Sequence, residues 1–258
     1  MNQPPIDASQ EPQGQPQPRM VQVKLPGGVK TPTVTYVLIG LTVFVYLLQM
    51  LSQYLFGQNV DLPLAYGGKI NSLILQGQVW RLITPILLHG SLLHIGFNMY
   101  ALFVLGPGLE RAYGHGRFLI LYLLGGFAGN TISFLLSPAV SIGASTAIFA
   151  LVIAEVVFIY RNKQMFGSRA RGMLINLGVI IVVNLALGLS PGIDNWGHLG
   201  GLLGGAMFSW TAGPLYQLAA GPNGFELQDK HGKRETLLGA LLTFGVFAVI
   251  VLARMLKG

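Results

Sequence analysis

The sequence predicts an all-α polytopic membrane protein, and three observations carry that prediction. Only 10% of the 258 residues are charged and 52% are hydrophobic, whereas a soluble domain carries about 25% charged residues. The mean hydropathy is +0.59. Whole windows lack charge over lengths near the ~20 residues that cross a bilayer, in place of the alternating apolar and polar faces of a soluble core. The net charge of +7 comes from basic residues that fall between the apolar segments, with no aromatic-interleaved patch, which excludes a nucleic-acid partner. Without cysteine there is no disulfide framework, thiolate nucleophile or cysteine metal site.

Residues 1–33 are rich in Pro and Gln and hold no apolar run, which predicts a disordered tail and not a secretory signal. Seven apolar segments follow, at 34–56, 90–106, 118–136, 145–160, 173–189, 197–217 and 236–254. The stretch 57–88 mixes Asn71, Gln76, Gln78 and Arg81 with apolar residues, so it is expected to lie partly in the interface, with Trp80 as an anchor. Twelve of the sixteen Lys and Arg residues lie in the tail and in the loops on its side. The positive-inside rule then places the N-terminus in the cytoplasm and, with an odd number of crossings, the C-terminus outside.

Segments two, four and six share a direction, so their starts share one leaflet. Those starts hold the unusual polar groups: His89, His94 and Asn98; Gly143-Ala144-Ser145; and His198 within Asn195 to Gly201. His94 and Asn98 are four apart and share a helix face. Helix–helix hydrogen bonding is one use of such groups. Metal binding is another, but no Asp, Glu or Cys stands beside the two histidines to complete a zinc set, so no metal or cofactor is expected. Serine is common in membrane helices, where it bonds back to its own backbone. Ser145, however, lies only ~24 Å from Tyr160 along a helix, less than the ~30 Å hydrocarbon core, so its hydroxyl is sunk below the outer surface and needs a partner. His198 at the start of parallel segment six is the candidate, since neutral imidazole can accept a serine proton. Gly197, Gly201 and Gly205 on segment six, and Ala147, Ala150 and Ala154 on segment four, let the two approach closely. Phe149, one turn after Ser145, is placed to stack on His198. Glu155 is read as the one acidic residue well inside a segment, too far along its helix to orient His198, and Asp194 as part of the outer loop.

The ordered set Trp80-Arg81, His89 through His94 to Asn98, Glu110-Arg111 with Gly114 and Phe118, Gly143-Ala144-Ser145, and His198 with Gly200-Gly201 resembles the rhomboid family of intramembrane serine proteases. The resemblance implies a six-helix catalytic core over 34–217, a cytoplasmic loop at 218–235 and an additional transmembrane helix within 236–258. It implies Ser145 and His198 as a catalytic dyad and His94, Asn98 and the Ser145 backbone N–H as an oxyanion hole. His89, Gly143, Glu110 and Arg111 take structural places, and the substrates are membrane-anchored proteins cleaved in or near their transmembrane segment. One position departs from the family pattern: Thr146 follows the nucleophile where Gly is usual, and its stiff β-branched side chain is expected to crowd the contact with segment six. Two other classes compete. A non-catalytic rhomboid-like protein would bind transmembrane segments in the same cleft. A transporter or channel would use the buried polar groups as a pathway, but would show broken or inverted repeats that are missing here.

Overall fold

The computed structural model describes residues 31–221 and 224–257, so the tail expected over 1–33 falls almost wholly outside the described residues. Helix α1 (Thr33–Phe56) leads into a folded connection of α2 (Leu62–Gly67), α3 (Asn71–Leu75) and two 3-10 turns at Val79–Leu82 and Thr84–Leu87. Helices α4 (Leu92–Tyr113), α5 (His115–Leu136) and α6 (Ser145–Arg161) follow, then the short α7 (Lys163–Phe166), α8 (Arg169–Leu187) and α9 (Asn195–Ala212). A hairpin of β1 (Tyr216–Gly221) and β2 (Gly224–Asp229) precedes α10 (Lys233–Leu256). Among the described residues, five helices (α1, α4, α5, α8 and α10) are long and apolar enough to cross a membrane. The outward faces of α1, α8 and α10 carry exposed apolar side chains such as Phe44, Leu47, Val182 and Leu241. So large an apolar exterior suits lipid and not water.

Local sequence explains several helix starts. Asp61 Oδ1 accepts from Leu64 N with Pro63 in the first turn of α2, Ser91 Oγ accepts from His94 N at α4, and Asp194 Oδ1 accepts from Gly197 N at α9. The centre of the bundle is α5, α6 and α9. A Cβ on Gly201 of α9 would lie 2.1 Å from the Thr146 carbonyl oxygen, and one on Gly125 of α5 would lie 2.1 Å from Ala150 Cβ. Only hydrogen fits at these two crossings, which is how small residues bring membrane helices together.

Three sequence expectations need correction. The second segment does not stop at 106: α4 runs through Pro107 to Tyr113, since the proline's lost hydrogen bond is tolerated in a membrane helix, and Gly114 at φ 78° makes the break instead. Glu110 therefore also lies inside a helix, fully buried, and Glu155 is not the one acidic residue there. Its carboxylate accepts from Val34 N and Thr35 N at 2.8 Å and Thr35 Oγ1 at 2.6 Å, so it caps the start of α1. Finally, segment six ends at Ala212 before Gly213-Pro214, and a hairpin occupies the stretch expected to hold the end of the core and a loop. Arg117 of α5 fixes the hairpin by a 2.7 Å ion pair with Asp229 and a hydrogen bond to the His231 carbonyl.

Candidate active site

Ser145 is the first residue of α6, and the loop 137–144 that delivers it is tied down from the α1–α4 connection. Lys69, fully buried, donates through Nζ to the carbonyls of Ser137 (2.9 Å) and Ala139 (2.7 Å). Its backbone forms a two-way bridge with Ser141, Asn71 Nδ2 donates to Ser137 O at 2.9 Å, and Gly143 N donates to Pro85 O at 2.9 Å. Burial pushes the Lys69 ammonium down to about 8, against the pull of the Asp194 carboxylate. Gly143 adopts φ 130°, a conformation that side-chain-bearing residues rarely take, and a Cβ there would lie 2.7 Å from His94 Nε2. The first N–H groups of α6 have no partner within the helix and no capping side chain, which leaves a partial positive charge at Ser145.

His198 stands one turn into α9, with Nε2 3.0 Å from Ser145 Oγ. Its ring stacks on Phe149 at 4.3 Å between centroids and 15° between planes. Among the described residues its Nδ1 has no hydrogen-bond partner. Asp194 is engaged elsewhere, capping α9 through Gly197 N and accepting from Ser133 Oγ of α5. The pair is thus a serine and an imidazole without a carboxylate behind them, and the ring is oriented by stacking.

His94 enters from the first turn of α4. Gly90 N approaches its Nδ1 at 3.5 Å, an arrangement in which Nδ1 accepts and the neutral ring carries its proton on Nε2, the atom facing Gly143 beside Ser145. Asn98, one turn on and nearly buried, bonds through Nδ2 to His94 O at 3.1 Å, which leaves its second amide hydrogen. His89 sits before the Ser91 cap, its ring 4.9 Å from that of His94, with Nε2 accepting from Ala144 N at 3.4 Å. Gln49 of α1 fixes it from behind: Gln49 Oε1 accepts from His89 N at 3.0 Å while Nε2 donates to Asp61 at 2.8 Å.

The structure therefore brings together Ser145, His198, His94, Asn98, His89, Gly143 and Phe149. Trp80 lies apart, half exposed and donating to Tyr66 O, while Arg81 is buried and holds the connection by bonds to Gly68 O, Ala65 O and Gln78 Oε1. The expected crowding at Thr146 is relieved by glycines. The Thr146 Cγ2 and Cβ lie where side chains at Gly129 and Gly197 would have been, at 2.7 and 2.5 Å from a Cβ on Gly129 and 3.0 Å from one on Gly197. Sequence reasoning missed Gln49, Lys69 and the Ser133–Asp194 contact. An amide inside an otherwise apolar α1 was a usable signal for Gln49, since such a group needs a partner in the membrane.

Among the described residues no group of three or more His, Asp or Glu side chains could hold a metal ion. Fold and site together define a polytopic helical membrane protein with a serine and a histidine at the starts of two central helices. The Rhomboid domain family model matches residues 76–215, more than half of the chain, and the chain belongs to the rhomboid family. Rhomboid protease GluP of Bacillus subtilis (strain 168) is 43% identical over 175 residues, 67% of this chain and 34% of that protein. RHOMBOID-like protein 9, chloroplastic, of Arabidopsis thaliana is 38% identical over 163 residues, 63% of this chain and 38% of that one. RHOMBOID-like protein 6, mitochondrial, from the same plant is 36% identical over 163 residues, 62% and 52% respectively. The chain thus spans about a third to a half of the length of the curated relatives it matches.

Proposed function

We propose that the chain is an intramembrane serine endopeptidase acting on membrane-anchored proteins, with Ser145 as nucleophile and His198 as its base. The 3.0 Å approach of His198 Nε2 to Ser145 Oγ carries this reading. Ser145 Oγ attacks the scissile carbonyl carbon as its proton passes to Nε2. The oxyanion that forms is held by the Ser145 N–H at the positive end of α6, by His94 Nε2–H and by the free amide hydrogen of Asn98. The imidazolium returns the proton to the leaving amine, the peptide C–N bond breaks, and an acyl ester on Ser145 remains. A water that gives its proton to Nε2 then attacks the ester, releasing the carboxylate and restoring the hydroxyl.

Membership in a family with a named protease relative supports the reading, as does the glycine niche that accommodates Thr146. The orientation proposed with it puts the N-terminal side of α1 in the cytoplasm and the site toward the outer face, following the distribution of basic residues. Treating the purified protein with a fluorophosphonate probe tests the chemistry: label is expected on Ser145 and none on Ser145→Ala. An unlabelled wild-type protein would instead favour a non-catalytic binder of transmembrane segments.

A further inference from the structure

Where α6 ends and α8 begins, α7 and the Gly167 turn enclose an open groove of about 840 Å³. Its rim carries Lys163, Arg171 and the hydroxyl-bearing Ser168, and among the described residues no acidic side chain lines it. Neither cation takes part in an ion pair among the described residues, where the two pairs are His115–Glu110 and Arg117–Asp229. Lys163 Nζ rests 6.0 Å from the centre of the Tyr160 ring, which keeps the ammonium at the rim. Ser168 makes no side-chain cap, so the positive end of α8 faces the same rim. Tyr160 stands at the rim itself, and below the rim the wall turns apolar with Leu174 and the exposed Ile175 of α8.

We propose that this groove binds one anionic phospholipid, with its phosphate held between Lys163 and Arg171 and the start of an acyl chain lying along Leu174 and Ile175. Charge complementarity supplies the first half of the argument: two cations and a helix N-terminus meet no anion among the described residues. Geometry supplies the second. The rim is level with the ends of α6 and α8, where Arg161 and Arg169 mark the bilayer surface, and the apolar wall lies one to two turns deeper, at acyl depth. A free phosphate ion would satisfy the rim and leave that wall bare, so a lipid fits the whole groove. The proposal does not rest on the protease reading.

The test measures lipid retention by native mass spectrometry of the full chain in detergent, with phosphatidylglycerol and phosphatidylcholine as competing probes. Wild-type protein is expected to prefer phosphatidylglycerol by roughly tenfold or more, since each cation near an anionic surface contributes about 1 kcal/mol. The double substitution Lys163→Gln with Arg171→Gln should reduce that preference to about twofold or less on the same scale. Lys230→Gln with Arg234→Gln, which removes the same charge from exposed positions outside the groove, should leave it intact. All four residues are exposed, so folding is preserved and each variant can be read. Equal loss in both double variants would show a diffuse charge effect and overturn the site, as would unchanged preference in the groove variant. Displacement of phosphatidylglycerol by an equal concentration of inorganic phosphate would overturn it too, by showing an anion site without a lipid.

Discussion

In the proposed mechanism Ser145 and His198 work as one unit, so removing either removes nearly the same activity. Ser145→Ala and His198→Ala are each expected to abolish cleavage of a single-span substrate while the purified protein stays folded. Turnover by either variant would end the dyad assignment. The oxyanion donors separate from the pair. Asn98→Ala, and independently His94→Ala, should lower kcat by ~100-fold to 1,000-fold, about 2.7 to 4 kcal/mol, with little change in KM. His89 behaves differently because its ring supports Ala144 N and its backbone hangs from Gln49. His89→Ala should lower the melting temperature first. If His94→Ala and Asn98→Ala lose melting temperature and keep kcat, those side chains are structural hydrogen-bonders.

At the scale of elements, the loop 137–144 is only as fixed as its clamp, and Lys69 is the centre of that clamp. Lys69→Met leaves the Ala139 carbonyl without a partner among the described residues, a loss of about 1 to 3 kcal/mol for a buried acceptor. Probe labelling of Ser145 should slow in this variant, and an unchanged labelling rate would show that the loop holds itself. The pH dependence of stability has a definite sign. The folded Lys69 ammonium, at about 8, titrates below its ordinary 10.5, so the unfolded chain holds more protons between those values. Burial of this cation lowers stability fully below pH 8, and the penalty fades as pH rises toward 10.5. Thermal unfolding should therefore show a Lys69 contribution that rises across that window in the wild type and is missing in Lys69→Met.

Much of this was legible in the sequence, for identifiable reasons. Apolar windows located the long helices because lipid imposes a length on each span, and the polar residues at three helix starts stood out against that background. The His–Ser pairing was legible because both groups open parallel helices at one depth. Lys69 and the hairpin were not. A lone lysine in a loop gives no sign of the two carbonyls, sixty-eight and seventy positions away, that it will meet. The hairpin's Gly213-Pro214 stop was present, but its placement depends on Arg117, 112 residues from Asp229. The apolar window at 90–106 falls short in the opposite direction, because the helix continues through Pro107 to Tyr113 past the end of the apolar run.

For the molecule as a whole, orientation is the first consequence of the charge distribution. A reporter fused ahead of residue 1 should be cytoplasmic and one fused after Gly258 external; two reporters on one side would mean that one of the long helices fails to cross. The helix lengths carry a further consequence. Around the perimeter α8 has 19 residues, whereas α1 and α10 have 24 each. At the rise of a helix these are ~28 Å and ~36 Å, on either side of a ~30 Å hydrocarbon core. A bilayer cannot match both, so thinning of the lipid beside α8 and tilting of α1 and α10 are the expected accommodations. Hydrophobic mismatch then becomes a control on the proposed activity: in vesicles of increasing acyl-chain length the cost falls on the α8 side, next to α6 and its serine. Cleavage should be fastest in short-chain bilayers and decline as they thicken, and a rate indifferent to thickness would mean that the short helix is insulated from the lipid around it.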